Sequence, residues 1–399
     1  MVTKNIEFLE VPYRYLRITD ISDDGYLLEN DKKSLNEKDA KKYLLSKNDI
    51  VFARTGASTG KSFFYEEKFG KLVYAGFLIK FKLDEDLVNP KFVKYYTISQ
   101  KYKKWIENYQ DGSTRENMNA NTFANMELEL PNRKQQNLAV SILSSLDDKI
   151  ELNNKINKEL ENLAKTIYEY WFVQNAEEKW EKRKLSEIAE TGSGGTPLSS
   201  NKEYYENGNI AWINSSELNL DYIIDTKNFI TEKGLNRSSA KLFPVNSILI
   251  ALYGATAGKV SLLTIPATTN QAICAIMPFS QIHTLYLKFY LSDLYKYFVN
   301  VSSGSARDNL SQELIRNLNI ILPPKNVLEK FNNIIEPFIH EIITNRQENA
   351  NLAHLRDFLL PLLMNGEVNV DIKCNFAKLP IYEQATIITT PPRHRMGQF

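Results

Sequence analysis

The sequence predicts an α+β protein with a pseudo-twofold internal repeat: two similar mixed α/β domains, separated by two long helices that form an antiparallel coiled coil. Three observations predict this fold. Two short motifs recur in the same order, runs of β-branched and aromatic residues flank the first motif, and each half then passes through a proline into a long helical pattern. We expect domains at 1–132 and 176–324, helices at 133–175 and 325–366, and a tail at 367–399.

The first repeated motif is a glycine-rich loop, "RTGASTGKS" (54–62), which returns as "LYGATAGKV" (252–260). Four residues are shared at an offset of 198 (254 − 56): Gly56, Ala57, Gly60 and Lys61 match Gly254, Ala255, Gly258 and Lys259. A phosphate-binding loop needs four residues before its Gly-Lys pair and opens a helix. Here three residues separate Gly56 from Gly60, and strand-like runs flank both copies. We therefore predict a β-hairpin turn rather than a nucleotide site.

The second repeated motif is "GSTRENMN" (112–119), which returns as "GSARDNLS" (304–311) at an offset of 192 (304 − 112). The alignment pairs Arg115 with Arg307 and Asn117 with Asn309. The two offsets differ by six residues (198 − 192), as expected for a variable surface segment inside a common scaffold. The chain is therefore expected to be one unit duplicated.

Residues 134–173 and 327–363 carry apolar side chains at steps of three and four, which indicates an apolar stripe along each of two long helices. Asparagines interrupt both stripes at equivalent positions: Asn153 with Asn345, and Asn157 with Asn349. Buried asparagines fix the register of a coiled coil at some cost in stability. The alternative is that each helix packs only on its own domain. Pro337 is expected to kink the second helix or to mark a late start.

If the helices pair, the short route is antiparallel, and a helix of this length spans about 60 Å at 1.5 Å per residue. The two domains would then lie at opposite ends of a rod, related by an approximate twofold axis. Dimeric DNA-binding proteins contact half-sites about one helical turn, or roughly 34 Å, apart. Because the two domains differ in sequence, the expected target is asymmetric and bipartite double-stranded DNA with an unread spacer.

The composition indicates an ordinary globular protein: 43% of the residues are hydrophobic, 24% are charged, and the net charge is +1. The two cysteines, Cys274 and Cys374, lie far apart, and neither a membrane span nor a signal peptide is evident, so a cytoplasmic protein is expected. No metal or cofactor motif occurs, and no cofactor is expected. The basic, aromatic segment 91–105 is read either as a solvated helix face or as a contact to the DNA backbone.

Several segments together resemble the DNA-specificity subunit of type I restriction-modification systems. They are residues 191–219, 248–263, 268–278, 304–324 and 359–368, among them "ILIALYGATAGKVSLL", "TTNQAICAIMP" and "LLPLLMNGEV". The resemblance implies two target-recognition domains and two helices that also dock a pair of methyltransferase (modification) subunits, with restriction/translocase subunits recruited around them. It also implies a subunit without catalysis of its own.

Lys61 and Lys259, on the hairpin turns, are candidates for contacts to DNA phosphate. Arg115, Asn117, Arg307 and Asn309 are residue types that pair with bases, but two domains with different targets should not read them with the same residues. These four are therefore expected to contact phosphate or to hold the scaffold. Asn270 and Gln271 belong to a family segment, although the first half has Ala75 and Gly76 there. Base readers are expected where the halves differ, including residues 30–47 and 219–241.

Two departures from the repeat are expected to matter. The first unit lacks about 25 residues that open the second unit near "KRKLSEIAETGSGGTP" (182–197), and the tail after Val370 has no counterpart and is expected to be mobile.

Two rival functions remain open from the sequence. A fused restriction or methylation enzyme would need motifs that are absent, and a coiled-coil interaction scaffold without sequence-specific DNA binding fits the helices equally well.

Overall fold

A computed structural model describes residues 6–7, 13–29, 31–35, 40–111, 118–302 and 310–366. The chain divides into two compact units. Unit 1 combines Met1–Lys149 with Asn351–Phe399, and unit 2 is Ile150–Ala350. Each long helix contributes to both units.

Unit 1 contains short strands, three short helices and the start of a long helix. Its strands are β1 (Ile6–Glu7), β2 (Arg14–Leu16), β3 (Lys33–Ser34), β4 (Asp49–Ala53), β5 (Ser62–Phe64), β6 (Leu72–Tyr74) and β7 (Leu78–Lys82). Its helices are α1 (Pro90–Tyr96), α2 (Gln100–Asp111), α3 (Ala120–Ala124) and the first part of α4 (Arg133–Tyr168). The strands form two sheets: a mixed sheet of order β1-β3-β2-β6, in which β2 and β6 are parallel, and an antiparallel sheet of order β5-β4-β7.

Unit 2 begins at Ile150 within α4, and α4 passes into a π-helical turn at Glu169–Gln174. Its strands are β8 (Glu181–Lys184), β9 (Ala189–Ser193), β10 (Ile210–Ile213), β11 (Tyr222–Ile223), β12 (Phe229–Ile230), β13 (Leu242–Phe243), β14 (Ile248–Ala251), β15 (Val260–Leu263), β16 (Ala267–Thr269), β17 (Ile273–Pro278) and β18 (Asn319–Leu322). Its helices are α5 (Leu185–Ile188), α6 (Glu232–Asn236), α7 (Thr284–Asp293), α8 (Tyr295–Ser302), α9 (Gln312–Arg316) and α10 (Lys325–Met364), which ends in unit 1.

The sheets of unit 2 extend the pattern of unit 1. Its main sheet has the order β11-β15-β14-β17-β9, and the second has the order β12-β10-β16-β13. The central three strands correspond to β5-β4-β7 of unit 1. The central strands are buried on both faces, and residues 50–53 of β4 and 248–251 of β14 are continuous apolar runs, because helices cover one face and the second sheet covers the other.

The two long helices contact each other in antiparallel orientation, as predicted. Within unit 2, Asn153 of α4 contacts Asn349 of α10, whereas the later Asn157 contacts the earlier Asn345. The alternative of two separately packed helices is therefore wrong. The helix α10 begins at Lys325 and continues through Pro337, so of the two alternatives for this proline the late start is wrong. In the described part of the chain, no helix has the length and apolar character needed to cross a bilayer.

Candidate functional site

The predicted hairpin turn is present in both units with the same hydrogen bonds. In unit 1, Gly60 N donates to Ala53 O at 2.9 Å and Ala53 N donates to Lys61 O at 2.8 Å. In unit 2, Gly258 N donates to Ala251 O at 2.9 Å and Ala251 N donates to Lys259 O at 3.1 Å. A strand enters and a strand leaves each turn, and although Gly56–Ser58 of the first turn form a short 3-10 helix, neither turn opens an α-helix toward a phosphate.

The second glycine of each turn is required by packing as well as by its backbone. Gly60 has φ +88° and Gly258 has φ +78°, a region that side chains disfavour. A Cβ atom on Gly60 would lie 2.8 Å from the side chain of Ile106, and one on Gly258 would lie 2.8 Å from Phe298. The turns are thus seated directly on α2 and α8, which makes them a rigid part of each domain.

The two candidate phosphate ligands on these turns have different neighbours. Lys61 Nζ lies 2.8 Å from the exposed carboxylate of Asp23, and this ion pair lowers the pKa of Asp23. Lys259 Nζ lies 4.7 Å from the ring centroid of Tyr295. Both lysines are only partly exposed. Lys61 would have to exchange Asp23 for a DNA phosphate, whereas Lys259 has no such carboxylate among its described contacts.

Asn270 and Gln271 lie on the turn between β16 and β17, where they make local contacts. Asn270 Oδ1 accepts from Ala272 N at 3.1 Å, and its backbone N–H donates to Ile213 O at 3.0 Å. Gln271 Oε1 accepts from the Thr196 hydroxyl at 2.6 Å, and its side chain is exposed. Asn270 therefore shapes the turn, while Gln271 is accessible to a ligand.

The remaining candidates, Arg115, Asn117, Arg307 and Asn309, lie outside the described residues. The ends of both copies of the second motif are described. Met118 N donates to Arg54 O at 3.0 Å, which fixes this part of the first copy to the hairpin. Met118 and the equivalent Leu310 of the second copy are both buried in their domain cores.

The basic segment 91–105 spans most of α1 and the first part of α2, and its aromatic residues Tyr95 and Tyr102 are almost fully buried. Lys91 pairs with Glu66 at 2.7 Å, and Lys101 pairs with Glu129. These lysines are neutralised within unit 1, which favours the solvated-face reading over contact with the DNA backbone.

One buried cluster in unit 1 was not predicted: Tyr26, Lys94, Asp147 and Arg356, here called the Tyr26 cluster. The Tyr26 hydroxyl donates to Asp147 Oδ1 at 2.6 Å and accepts from Arg356, and Lys94 Nζ lies 3.2 Å from Asp147 Oδ2. Arg356 and Lys94 lie 5.5 and 5.7 Å from the centroid of the Tyr26 ring. The cluster joins the domain to α4 and α10.

The charge state of this cluster follows from its contacts. Burial alone would raise the pKa of Asp147, but Lys94, the hydroxyls of Tyr26 and Tyr95, and Arg356 outweigh burial and lower it. Asp147 is therefore a carboxylate at neutral pH, and it compensates the buried cations around it.

Unit 2 has a corresponding cluster, Tyr222, Lys288, Glu161 and Arg346, here called the Tyr222 cluster. Lys288 and Arg346 lie 5.1 and 5.6 Å from the Tyr222 ring centroid. Arg346 donates to Glu161 at 2.9 Å and to the Tyr222 carbonyl at 3.0 Å. Burial and the nearby Asp221 raise the pKa of Glu161. In unit 2, Arg346 thus joins α10 to Tyr222 of the domain and to Glu161 of α4, whereas in unit 1 Asp147 of α4 and Arg356 of α10 both contact Tyr26 of the domain.

The sequence gives only weak evidence for the Tyr26 and Tyr222 clusters. Lys94 in "KFVKYY" and Lys288 in "LYLKFY" align at an offset of 194 (288 − 94), and both precede an aromatic residue. Their partners on α4 and α10 do not repeat in sequence, so only the structure brings them together.

The predicted register residues meet across the helix pair. Asn153 Nδ2 donates to Asn349 Oδ1 at 2.9 Å and to Glu348 Oε2 at 2.7 Å. Asn345 Nδ2 donates to Asn157 Oδ1 at 2.9 Å. Under the internal repeat the first asparagine contact becomes the second, with the same donor and acceptor roles. This layer can therefore favour one alignment of the helices over its neighbours.

Comparison with known proteins identifies the family. A family model described as a type I restriction modification DNA specificity domain matches residues 5–162 and again 177–354. The chain is 25% identical over 406 residues to the type I restriction enzyme HindI specificity subunit of Haemophilus influenzae, covering 82% of this chain and 88% of that protein. It is 26% identical over 310 residues to the MjaIX specificity subunit of Methanocaldococcus jannaschii, covering 72% and 71%.

A solved structure shares the fold. The S subunit of a type I restriction-modification system from M. genitalium matches with a TM-score of 0.54 at 20% identity, covering 90% of this chain and 92% of that chain. The family model matches once in each half of the predicted repeat and covers most of the chain, which decides against a fused enzyme and against a scaffold without DNA specificity. The chain belongs to the type I restriction-modification DNA specificity family and is the noncatalytic DNA specificity subunit of such a system.

Proposed function

We propose that this subunit reads a bipartite, asymmetric DNA target, with one half-site for each recognition domain. The observation that carries the proposal is the pair of hairpins, which have the same hydrogen bonds in both units and different side chains around them. A shared backbone structure that carries different side chains suits two domains that approach the DNA duplex in the same way but recognise different sequences.

Residues that are the same in both halves of the repeat would then have different roles from residues that differ between the halves. Lys61 and Lys259, together with Arg115, Asn117, Arg307 and Asn309, would contact phosphate or hold the scaffold in both domains. Gln271 is exposed and has Gly76 as its counterpart, so it would contact only the second half-site. Asn270 would support Gln271 through the turn that it shapes.

The segments where the halves differ remain the proposed base readers, with one restriction. In 219–241, Asp221 pairs with Lys288 and Tyr222 is buried against Arg346, so both belong to the domain anchor. The exposed remainder of that segment, and residues 30–47, stay candidates for readout.

The helix pair would set the length of the unread spacer. The asparagine layer would hold α4 and α10 in one alignment, and the Tyr26 and Tyr222 clusters would fix each domain on its own stretch of helix. A buried polar layer of this kind selects register rather than adding stability. The domain boundaries at 132, 175, 324 and 366 belong to the same proposal.

We also propose the partners: two methyltransferase subunits held by the duplicated scaffold, restriction/translocase subunits that join them, and a cytoplasmic location where they meet double-stranded DNA. The subunit would direct adenine methylation or the start of cleavage to the sequence that it selects.

Methylation-sensitive sequencing of cells that express this chain with its cognate methyltransferase tests the proposal. We expect a bipartite motif with methylated adenine and an unread spacer of fixed length. Exchanging residues 1–132 for those of a relative should change one half of the motif only. An active complex that methylates a continuous motif, or an exchange that alters both halves, would contradict the two-reader proposal.

A further inference from the structure

The hairpin turn of each unit lies at one end of its central sheet, here called the hairpin end. In unit 1, β4 ends at Ala53, opposite Leu78 at the start of β7. The neighbouring residues continue this pairing, because Arg54 N donates to Phe77 O at 3.1 Å. Met118 N donates to Arg54 O at 3.0 Å, so the second repeated motif also reaches this point. Three segments that are separated in the sequence therefore meet at Arg54.

Unit 2 has the same backbone arrangement at its hairpin end. The end of β14 pairs with the start of β17, and Leu252 N donates to Ala272 O at 2.8 Å. These hydrogen bonds match Arg54 with Leu252 and Phe77 with Ala272, so the side chains of the two units can be compared position by position.

At the matched positions, unit 1 has a cation and an aromatic ring where unit 2 has small or buried apolar residues. The ring of Phe77 is 54% exposed, whereas Ala272 is buried. Arg54 is partly exposed, whereas Leu252 is buried. Within the described part of the chain, the guanidinium of Arg54 makes no ion pair or hydrogen bond, so no described side chain competes with a ligand for it.

Unit 2 has the reverse arrangement one residue further along each loop. Tyr253 is 52% exposed, and its counterpart in unit 1 is the smaller Thr55, at the hairpin offset of 198 (253 − 55). Gln271 is exposed, and its counterpart is Gly76. Each unit therefore presents one exposed ring and one long polar side chain at its hairpin end, but at different positions of the same backbone.

The position of these side chains indicates their role. Single exposed apolar residues are common on protein surfaces, so their exposure alone indicates nothing. Here, however, Lys61 and Lys259, the proposed phosphate contacts, are hydrogen-bonded through their carbonyls to the same strand ends. Phosphate contacts fix a protein on the duplex, and base contacts specify the sequence. Arginine pairs with guanine, glutamine pairs with adenine, and aromatic rings stack on bases or enter base steps.

We propose that the hairpin end of each unit reads bases of its own half-site. In the first half-site, Arg54 pairs with a guanine and the ring of Phe77 enters a neighbouring base step. In the second, Gln271 exchanges its contact with the Thr196 hydroxyl for an adenine, and Tyr253 supplies the ring. This inference rests on the proposed function, because it assigns each pair of side chains to one half-site.

Exchange of the polar side chains tests this assignment. Methylation-sensitive sequencing first gives the motif, and exchange of residues 1–132 identifies the half that unit 1 reads. R54Q should then change one position of that half from guanine to adenine, because glutamine pairs with adenine as arginine does with guanine. Q271R should make the opposite change in the other half. Misfolding cannot produce a new base preference, so a changed motif also shows that the variant is folded.

Binding titrations give the same comparison without relying on methylation. The complex with the cognate methyltransferase is titrated with duplexes that differ only at the predicted base. The wild-type complex should prefer guanine at the Arg54 position by at least about fivefold, and R54Q should prefer adenine there.

Ring substitutions test the stacking contact separately. F77A and Y253A should each weaken binding to the target duplex about tenfold, because one ring no longer stacks on a base, whereas F77Y and Y253F should bind as the wild type does. F279A is the matched control. Phe279 is 67% exposed but follows the opposite end of β17, about 20 Å from the hairpin end, so its removal should leave binding unchanged.

The contrary outcomes separate this proposal from the proposed function. A bipartite motif with no guanine in the first half, or one that stays unchanged in R54Q and Q271R, would overturn the assignment and leave the two half-sites intact. Equal losses of affinity in F279A and Y253A would overturn the stacking contact. A continuous motif in the wild-type complex would instead contradict the proposed function, and this inference with it.

Discussion

The side-chain amide of Asn153 donates to Oδ1 of Asn349 across 2.9 Å, and the internal repeat converts this contact into the one from Asn345 to Asn157. The contact links the two long helices and is self-complementary between the two halves of the chain. These polar side chains bury little apolar area, so the contact contributes to the alignment of the two helices more than to the free energy of unfolding.

Replacing Asn153 by leucine should lower the free energy of unfolding of unit 2 by about 1–3 kcal/mol, because Asn349 Oδ1 and Glu348 Oε2 lose a hydrogen-bond donor. The double variant N153L/N349L should recover much of this loss, yet relax the spacer of the methylated motif. Chemical unfolding and methylation-sensitive sequencing measure the two effects. N162L, at an exposed position of α4, is the control. A double variant with an unchanged spacer would remove the register role.

Removing the Tyr26 hydroxyl should be costly, whereas removing the Tyr222 hydroxyl should not. Tyr26→Phe deletes a donor to Asp147 and an acceptor for Arg356, which should cost about 1–3 kcal/mol of unfolding free energy. Tyr222 contributes its ring and carbonyl, and within the described residues its hydroxyl makes no hydrogen bond, so Tyr222→Phe should change stability by less than about 0.5 kcal/mol. If Tyr26→Phe and Tyr222→Phe change the free energy of unfolding equally, the hydroxyl of Tyr26 does not stabilise the contact between its domain and the helices.

The two clusters should respond to acid in opposite directions. The pKa of Asp147 lies below its ordinary value of 3.8, so its contribution is complete above that pH and is lost as the pH falls through the lower folded value. The pKa of Glu161 lies above its ordinary value of 4.5, so its contribution is present at lower pH and is lost as the pH rises through the folded value. In hydrogen exchange, D147N should flatten the loss of stability of unit 1 below about pH 4, and E161Q should flatten a loss of stability of unit 2 above about pH 4.5.

The glycines of the hairpin should differ in their tolerance of a side chain. Gly60→Ala should destabilise unit 1 by about 1–3 kcal/mol, because the new Cβ would overlap Ile106. Gly56→Ala meets nothing within 4 Å and carries only the cost of its φ of +68°, about 1 kcal/mol. Gly258→Ala and Gly254→Ala form the same pair in unit 2. A larger loss for Gly56→Ala than for Gly60→Ala in thermal unfolding would contradict this packing account.

The lysines of the turns should act on affinity rather than on sequence choice. Lys61→Ala and Lys259→Ala should each weaken binding to target and non-target DNA alike, and each should reduce the salt dependence by about one ion. Asp23→Asn should strengthen binding, because it releases Lys61 from its ion pair. Titrations at several salt concentrations measure these effects. A change in the methylated motif would instead make these lysines base readers.

The hairpins and the long helices could be predicted because their signals are local. Glycine spacing between β-branched runs defines the turn, and the apolar stripe with its asparagines defines the helix pair. The Tyr26 cluster could not be predicted, because Tyr26, Lys94, Asp147 and Arg356 are far apart in sequence. Lys94 also lies in a lysine-rich segment whose sequence indicates a solvated surface, and only the structure shows its ion pair with Asp147.

The Tyr26 cluster has a consequence for the exchange of domains between genes. A recombination joint near residue 132 separates Tyr26 and Lys94 from Asp147 and Arg356, so an incoming domain inherits two members of the cluster and the resident helices keep the other two. A donor whose domain lacks this tyrosine or lysine would leave Arg356 and Asp147 paired with each other but without their contacts to the domain. We therefore expect domain exchange to preserve stability best between genes that share the Tyr26 cluster.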